Sequence, residues 1–197
     1  MWRLSGLAVW LVVAPSLAAQ WSAVAEVGRV DFHGGAFDTS SVADPATIRP
    51  SPGRAYSLHV RRQVSTFGVG LGVLYSSTGV GAEGKNVIVE EKGVLKFYEV
   101  AAEVLILLAK PGAGGALRLH LGPLLDIWSL TGEKDRTRVA AQIAVSLDWP
   151  MIGAVAGTFR AGVALGPSAW LDDELPDGYE RRMIWRRAFT AGIGLRL

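Results

Sequence analysis

Three histidines, His33, His59 and His120, are the side chains of this 197-residue chain best suited to exchange protons near neutral pH. An acyl hydrolase built around one of them would need a nucleophile, a base and an orienting group converging in one place. His59 and His120 fall mid-segment on the polar side of alternating stretches, whereas His33 falls in a segment rich in turn formers. Glu99 and Glu103 share the polar side of another stretch, so a hydrogen bond from His120 to Glu103 or Glu99 accounts for that histidine better than catalysis does. Asp172, Asp173, Glu174, Asp177 and Glu180 are hard oxygen ligands of the kind calcium and magnesium prefer, but their spacing matches no EF-hand loop. They read as a solvated acidic loop. Residues 79–84 are glycine-rich but lack the Lys-Ser/Thr pair of a phosphate loop. Zero cysteines remove disulfides, thiolate catalysis and cysteine-based metal sites together. No catalytic, cofactor-binding or metal-binding residue is assigned, and lipid A acyl hydrolysis stays as the enzymatic alternative.

The elements that position these residues follow from one pattern. In residues 138–149, Val139, Ala141, Ile143, Val145, Leu147 and Trp149 alternate with Arg138, Ala140, Gln142, Ala144, Ser146 and Asp148. A period of two marks a strand with one apolar face. Similar stretches cover 21–32, 54–65, 67–75, 98–108, 117–127, 155–166 and 185–197, which makes eight strands. In the third, Gly68, Gly70 and Gly72 occupy every second position. The connections at 33–53, 76–93, 131–136 and 172–180 are the longer ones, and 86–90 could extend a strand as a hairpin arm. Tight reversals are expected near Ser65, at 110–115 and at 150–153, where Gly, Pro and Ser favour turns.

The composition, 50% hydrophobic and 19% charged, is oily for a soluble domain. Beyond the N-terminus, however, no apolar run reaches the roughly 18 to 20 residues of a spanning helix. Residues 1–19 have Arg3, an apolar core, Pro15 and small residues at 16, 18 and 19, the pattern of a secretory signal peptide cleaved after Ala18 or Ala19. Residues 20–197 then form one domain. A formal charge of +2 spread along the chain gives no basis for nucleic-acid binding.

Long and short connections that alternate, with an even number of strands, predict an all-β, eight-stranded antiparallel up-and-down transmembrane β-barrel in a bacterial outer membrane. The competing fold is a soluble periplasmic barrel of lipocalin type, whose outer surface should carry Lys, Glu, Thr and Gln. The polar sides here carry glycine and alanine instead, which suit a narrow lumen. The charges Glu99, Glu103, Arg118, Asp126, Arg138, Asp148 and Arg160 are of both signs and can pair there. Trp21, Tyr75, Tyr98, Trp149, Trp170 and Trp185 lie near strand ends, as aromatic belts do at membrane interfaces. Arg187 falls on the apolar side, which fits only near the membrane edge, where an exposed Arg costs about 0 to 1 kcal/mol instead of roughly 2 to 4 at the midplane.

Two motifs carry a family resemblance. Ala102-Glu103-Val104-Leu105-Ile106-Leu107-Leu108, a short turn, and then Leu119-His120-Leu121-Gly122-Pro123 resemble paired strands of the small porin-like outer-membrane β-barrel domain proteins, with Leu105 where the family has proline. The terminal Gly192-Ile193-Gly194-Leu195-Arg196-Leu197 is similar to the family's last strand, with Leu197 in place of an aromatic residue. The resemblance implies recognition of the last strand by the barrel-assembly machinery, and no shared catalytic residues. The expected protein is a monomeric, non-enzymatic envelope barrel with a structural, loop-recognition or narrow-pore role. Its partners are outer-membrane lipid and lipopolysaccharide, and it needs no cofactor.

Overall fold

Segments with one apolar face gain most when every backbone donor and acceptor is paired as well, and a closed ladder achieves both. The computed structural model describes residues 20–40, 46–84, 88–112 and 114–197. The expected signal peptide at 1–19 lies outside them. The strands are β1 (Gln20–His33), β2 (Ala36–Asp38), β3 (Thr47–Pro50), β4 (Gly53–Val64), β5 (Phe67–Glu83), β6 (Ile88–Ala109), β7 (Ala116–Leu130), β8 (Arg136–Ile152), β9 (Val155–Gly166), β10 (Tyr179–Arg181) and β11 (Ile184–Arg196). Eight of them form a closed antiparallel ring in the order β1-β4-β5-β6-β7-β8-β9-β11, and β11 pairs back onto β1 from Ser22↔Arg196 to His33↔Trp185. These are the eight expected strands. Val27, Leu58, Leu71, Val104, Ile143, Val163 and Ile193 all point outward and are exposed.

The ring has a turn end and a loop end. At the turn end Ser65, at φ 57°, and Gly153, at φ 54°, take left-handed conformations that reverse the chain. The reversal expected at 150–153 lies later than the proline suggests: β8 stays paired past Pro150, with Ile152 opposite Val155, and the chain turns at Gly153. The β6–β7 ladder skips between Ala101↔Leu124 and Val104↔Leu121. Pro123 lacks a donor there, and a Cβ on Gly122 would sit 1.9 Å from the Ala102 carbonyl oxygen, so only glycine allows this close approach.

The loop end is more ordered than turn-forming composition suggests. The segment 33–53 contains β2 and β3, and His33 is the last residue of β1, not part of a loop. The segment 172–180 contains a 3-10 turn at Asp172–Glu174 and the start of β10. β2 pairs with both β3 and β10, and β3 pairs with the upper part of β5, which pairs with β6 from Glu83↔Ile88 on as the arm anticipated near 86–90, of which 86 and 87 lie outside the described residues. Beneath this small extension lies an apolar cluster inside the ring, including Val30, Phe32, Leu95, Phe97, Trp128 and Ile184. The Phe97 ring centroid is 4.5 Å from that of Trp128 and 5.5 Å from that of Phe32.

Trp170 corrects the aromatic-belt expectation. It is 7% exposed and belongs to this cluster, because the chain after β9 folds inward over the opening. Trp21, Trp149 and Trp185 do point outward near strand ends, whereas Tyr98 points outward midway along β6, which is longer than expected. Arg187 lies at the loop end, its guanidinium 5.2 Å from the Trp185 ring and Nη2 2.8 Å from His33 Nε2, so the apolar register holds. Trp128→Ala should cost about 3 to 5 kcal/mol of stability through the cavity it leaves in the cluster. Urea unfolding of the detergent-folded barrel measures this, and a loss below 1 kcal/mol would contradict the packing described.

Candidate functional site

Parity along each strand sends the polar side chains inward, where they meet one another. Five carboxylates (Glu26, Glu99, Glu103, Asp126 and Asp148) face four guanidiniums (Arg61, Arg118, Arg160 and Arg186), with His59 and His120 among them. An isolated charge there would cost several kcal/mol, so pairing is obligatory.

Three tiers follow from the turn end upward. In the lowest, Arg118 pairs with Asp148 and donates from Nε to Gln63 Oε1 at 3.2 Å, and Thr158 donates to Asp148 Oδ1 at 2.8 Å. Arg61 bridges to the next tier, with Nη1 3.6 Å from Asp148 Oδ2 and Nη2 3.6 Å from Glu26 Oε1. In the middle tier Thr190 donates to Glu26 Oε2 at 2.7 Å, and His59 Nε2 lies 3.5 Å from the same oxygen. A Cβ on Gly72 would come within 2.4 Å of His59 Nδ1, so this glycine of β5 makes the space the imidazole occupies. In the upper tier Arg186 forks onto Asp126 at 2.7 and 2.9 Å and pairs with Glu99, under the Phe97 ring 4.7 Å away.

His120 is at the centre of the middle tier. Its Nδ1 lies 2.9 Å from Glu103 Oε2 and its Nε2 lies 2.8 Å from Ser146 Oγ. A proton on Nδ1 satisfies both contacts: the ring donates to the carboxylate and accepts from the serine hydroxyl. Gln142 donates to Glu103 Oε1 at 2.9 Å, and Arg160 donates to Glu103 Oε2 at 3.3 Å while also pairing with its other oxygen. The expected contact is therefore to Glu103; Glu99 is held by Arg186.

Serine, histidine and carboxylate in this order are the parts of a hydrolytic triad. Access is what separates this arrangement from one. Ser146 and His120 are both 0% exposed. The interior spaces beside the network measure about 20 and 30 Å³, room for roughly a water or two. A scissile ester could not reach Ser146 Oγ, and the chain of bonds serves to anchor Glu103.

The acidic loop is likewise drawn apart. Asp172 pairs with Arg181 of β10, within the extension, and Glu174 pairs with Arg136 at the start of β8, which holds the loop to the barrel rim. Several members of the lumen network have no local sequence signature, above all Arg186 and the pairing of Ser146 with His120. Their only signal is inward parity, shared with Ala188 and Ala144.

Removing one charge from a buried, paired network strands its partner. Arg160→Met should destabilise the barrel by about 3 to 5 kcal/mol, and Arg160→Met combined with Glu103→Met should recover most of the loss. Urea titration of both variants tests this, and a double variant as unstable as the single would contradict the pairing.

No sequence-family model and no curated protein sequence matches this chain. Solved structures do. Neisserial surface protein A superposes with a TM-score of 0.58 at 10% identity, over 90% of this chain and 97% of its own. The outer membrane protein OprG from Pseudomonas aeruginosa superposes with a TM-score of 0.55 at 9% identity, over 91% of this chain and 96% of its own. The fold of this chain is thus the porin-like, eight-stranded fold of outer-membrane β-barrels.

Proposed function

We propose that this chain is a monomeric, integral outer-membrane barrel with a non-enzymatic role, structural in the wall and suited to recognition at the loop end. The observation that carries this reading is the outward belt. Leu71, Val139 and Ile193 are 65%, 70% and 58% exposed, on three different strands, while the polar side chains are inside. A soluble barrel of lipocalin type has the opposite polarity and would lose the hydrophobic contribution of every such side chain. In lipid the same belt is solvated, and the closed ladder leaves no backbone edge unpaired. Lipid and lipopolysaccharide are then the partners of the outer wall, and β11 is the strand offered to the assembly machinery.

A conducting role is disfavoured by two layers in series. The paired charges fill the middle of the lumen, and the Phe32, Phe97 and Trp128 cluster closes the loop end. The extension built from β2, β3 and β10 is fixed on the ring: Arg49 donates to Glu83 at 2.5 Å, and the Arg182 guanidinium lies 4.1 Å from the Phe37 ring. An ordered platform presents a constant surface, as recognition by loops requires.

The mature chain should fractionate with outer membranes and migrate differently on unheated and heated gels. Recovery in the soluble periplasmic fraction with no heat-dependent shift would contradict the reading. Reconstituted in planar bilayers, the barrel should give no conductance steps. Ser146→Ala should leave lipid A in the host membrane unchanged, whereas loss of a lipid A modification in that variant would establish the enzymatic alternative.

A further inference from the structure

The outer wall changes character abruptly near the loop end. Cross-strand pairing sets Val27, Tyr56, Tyr75, Tyr98 and Ile127 in one rung across β1, β4, β5, β6 and β7. One outward step closer to the loops, the rung is Arg29, Arg54, Ser77, Lys96 and Ser129. Apolar and aromatic side chains give way to cations within a single step. These cations have too few carboxylates to match them. Arg29, with 66% of its side chain exposed, holds Asp31 through Nε at 2.7 Å. Arg54 and Lys96 are exposed and have no hydrogen-bond or ion-pair partner among the described residues. Arg54 also stands directly opposite Arg29, where like charges repel. An anion shared between the two guanidiniums would relieve that repulsion.

The height of the rung points to what meets it. Trp21 and Arg29 are eight residues apart on β1, with Trp21 near its turn end. Along a strand tilted by about 40° that separation is a rise of about 20 Å. The apolar band of an outer-membrane barrel is about 25 Å tall, so the Arg29 side chain reaches the headgroup level of the leaflet on the loop side. Tyr56 and Tyr98, 50% and 40% exposed, stand just beneath, where amphipathic rings are favoured. With the longer loops external, this leaflet is the outer one.

We infer that this rung binds the phosphates of the outer-leaflet glycolipid, with one phosphate shared by Arg29 and Arg54 and a second on Lys96. Guanidinium recognises phosphate by parallel hydrogen bonds, and ammonium meets it as a point charge. Three interstrand spacings of about 4.8 Å put the backbones of Arg29 and Lys96 about 14 Å apart. Their long side chains then reach phosphates at the two ends of one disaccharide headgroup. A glycerophospholipid, with a single phosphate, satisfies only half of the rung. This inference rests on the outer-membrane placement proposed above.

Native mass spectrometry of the detergent-folded barrel, titrated with bisphosphorylated lipid A, monophosphoryl lipid A or phosphatidylglycerol, tests the inference. The bisphosphorylated form should bind on the order of tenfold more tightly than either of the others, as one charge-assisted contact implies. Arg54→Gln should weaken its binding by a similar factor, and Lys96→Gln should abolish the preference for two phosphates over one. Lys110→Gln, the same change of charge between β6 and β7 at the turn end, should leave binding unaltered. Heat-dependent gel mobility confirms that each variant is folded, and Lys96→Gln decides if Arg54→Gln is not. Equal affinity for phosphatidylglycerol and bisphosphorylated lipid A, wild-type binding in both rung variants, or displacement of lipid A by inorganic phosphate would overturn the inference. A chain recovered from the soluble periplasm would instead overturn the placement, and the titration, made on the purified barrel in detergent, would still decide the rung.

Discussion

Closure of β1 on β11 is the constraint from which the other features of this molecule follow. Twelve residue pairs join the first and last strands, and without them the ring would have two edges of unpaired amides. Closure fixes which residues face inward, because a one-residue slip of a strand would send its lumen side chains to the outside. The narrow ring then sets the size of what can be inside. Glycine on one strand makes room for an imidazole on its neighbour, as Gly72 does for His59.

Inside the ring, electrostatics and packing divide the length of the barrel between them. The lower and middle tiers are held by ion pairs, and the loop end is held by aromatic rings. A buried ion network contributes little net stability, yet each member is costly to remove once the others are in place. The aromatic cluster contributes through apolar area removed from water and from contact with charge. Arg186 belongs to both, since it forks onto Asp126 and lies against the Phe97 ring. It is the joint between a polar lumen and an apolar cap.

The two-sided wall was legible in the sequence because a period of two is local: each strand states its own faces within ten residues. The partners inside were not, because they come from distant strands. His120 finds Glu103 across 17 residues and Ser146 across 26, whereas Arg186 finds Glu99 across 87. Spacing along the chain has no bearing on such contacts; only the closed register brings them together. Glu103 was readable as the partner of His120 because β6 and β7 are joined by a short turn. Trp170 was misplaced at the membrane interface for the converse reason. It follows β9 in an aperiodic segment, and its direction is set by the opening it covers.

The central claim is that the Val/Ile/Leu face meets lipid and the opposite face meets a packed, charged lumen. The chain has no cysteine, so single cysteines along 139–147 can carry spin labels without background. Reconstituted in liposomes, labels at 139, 141, 143, 145 and 147 should collide with lipid-soluble oxygen and not with an aqueous nickel complex, and labels at 140, 142 and 144 should be shielded from both. Strong collision of the odd-numbered set with the aqueous complex would contradict the account.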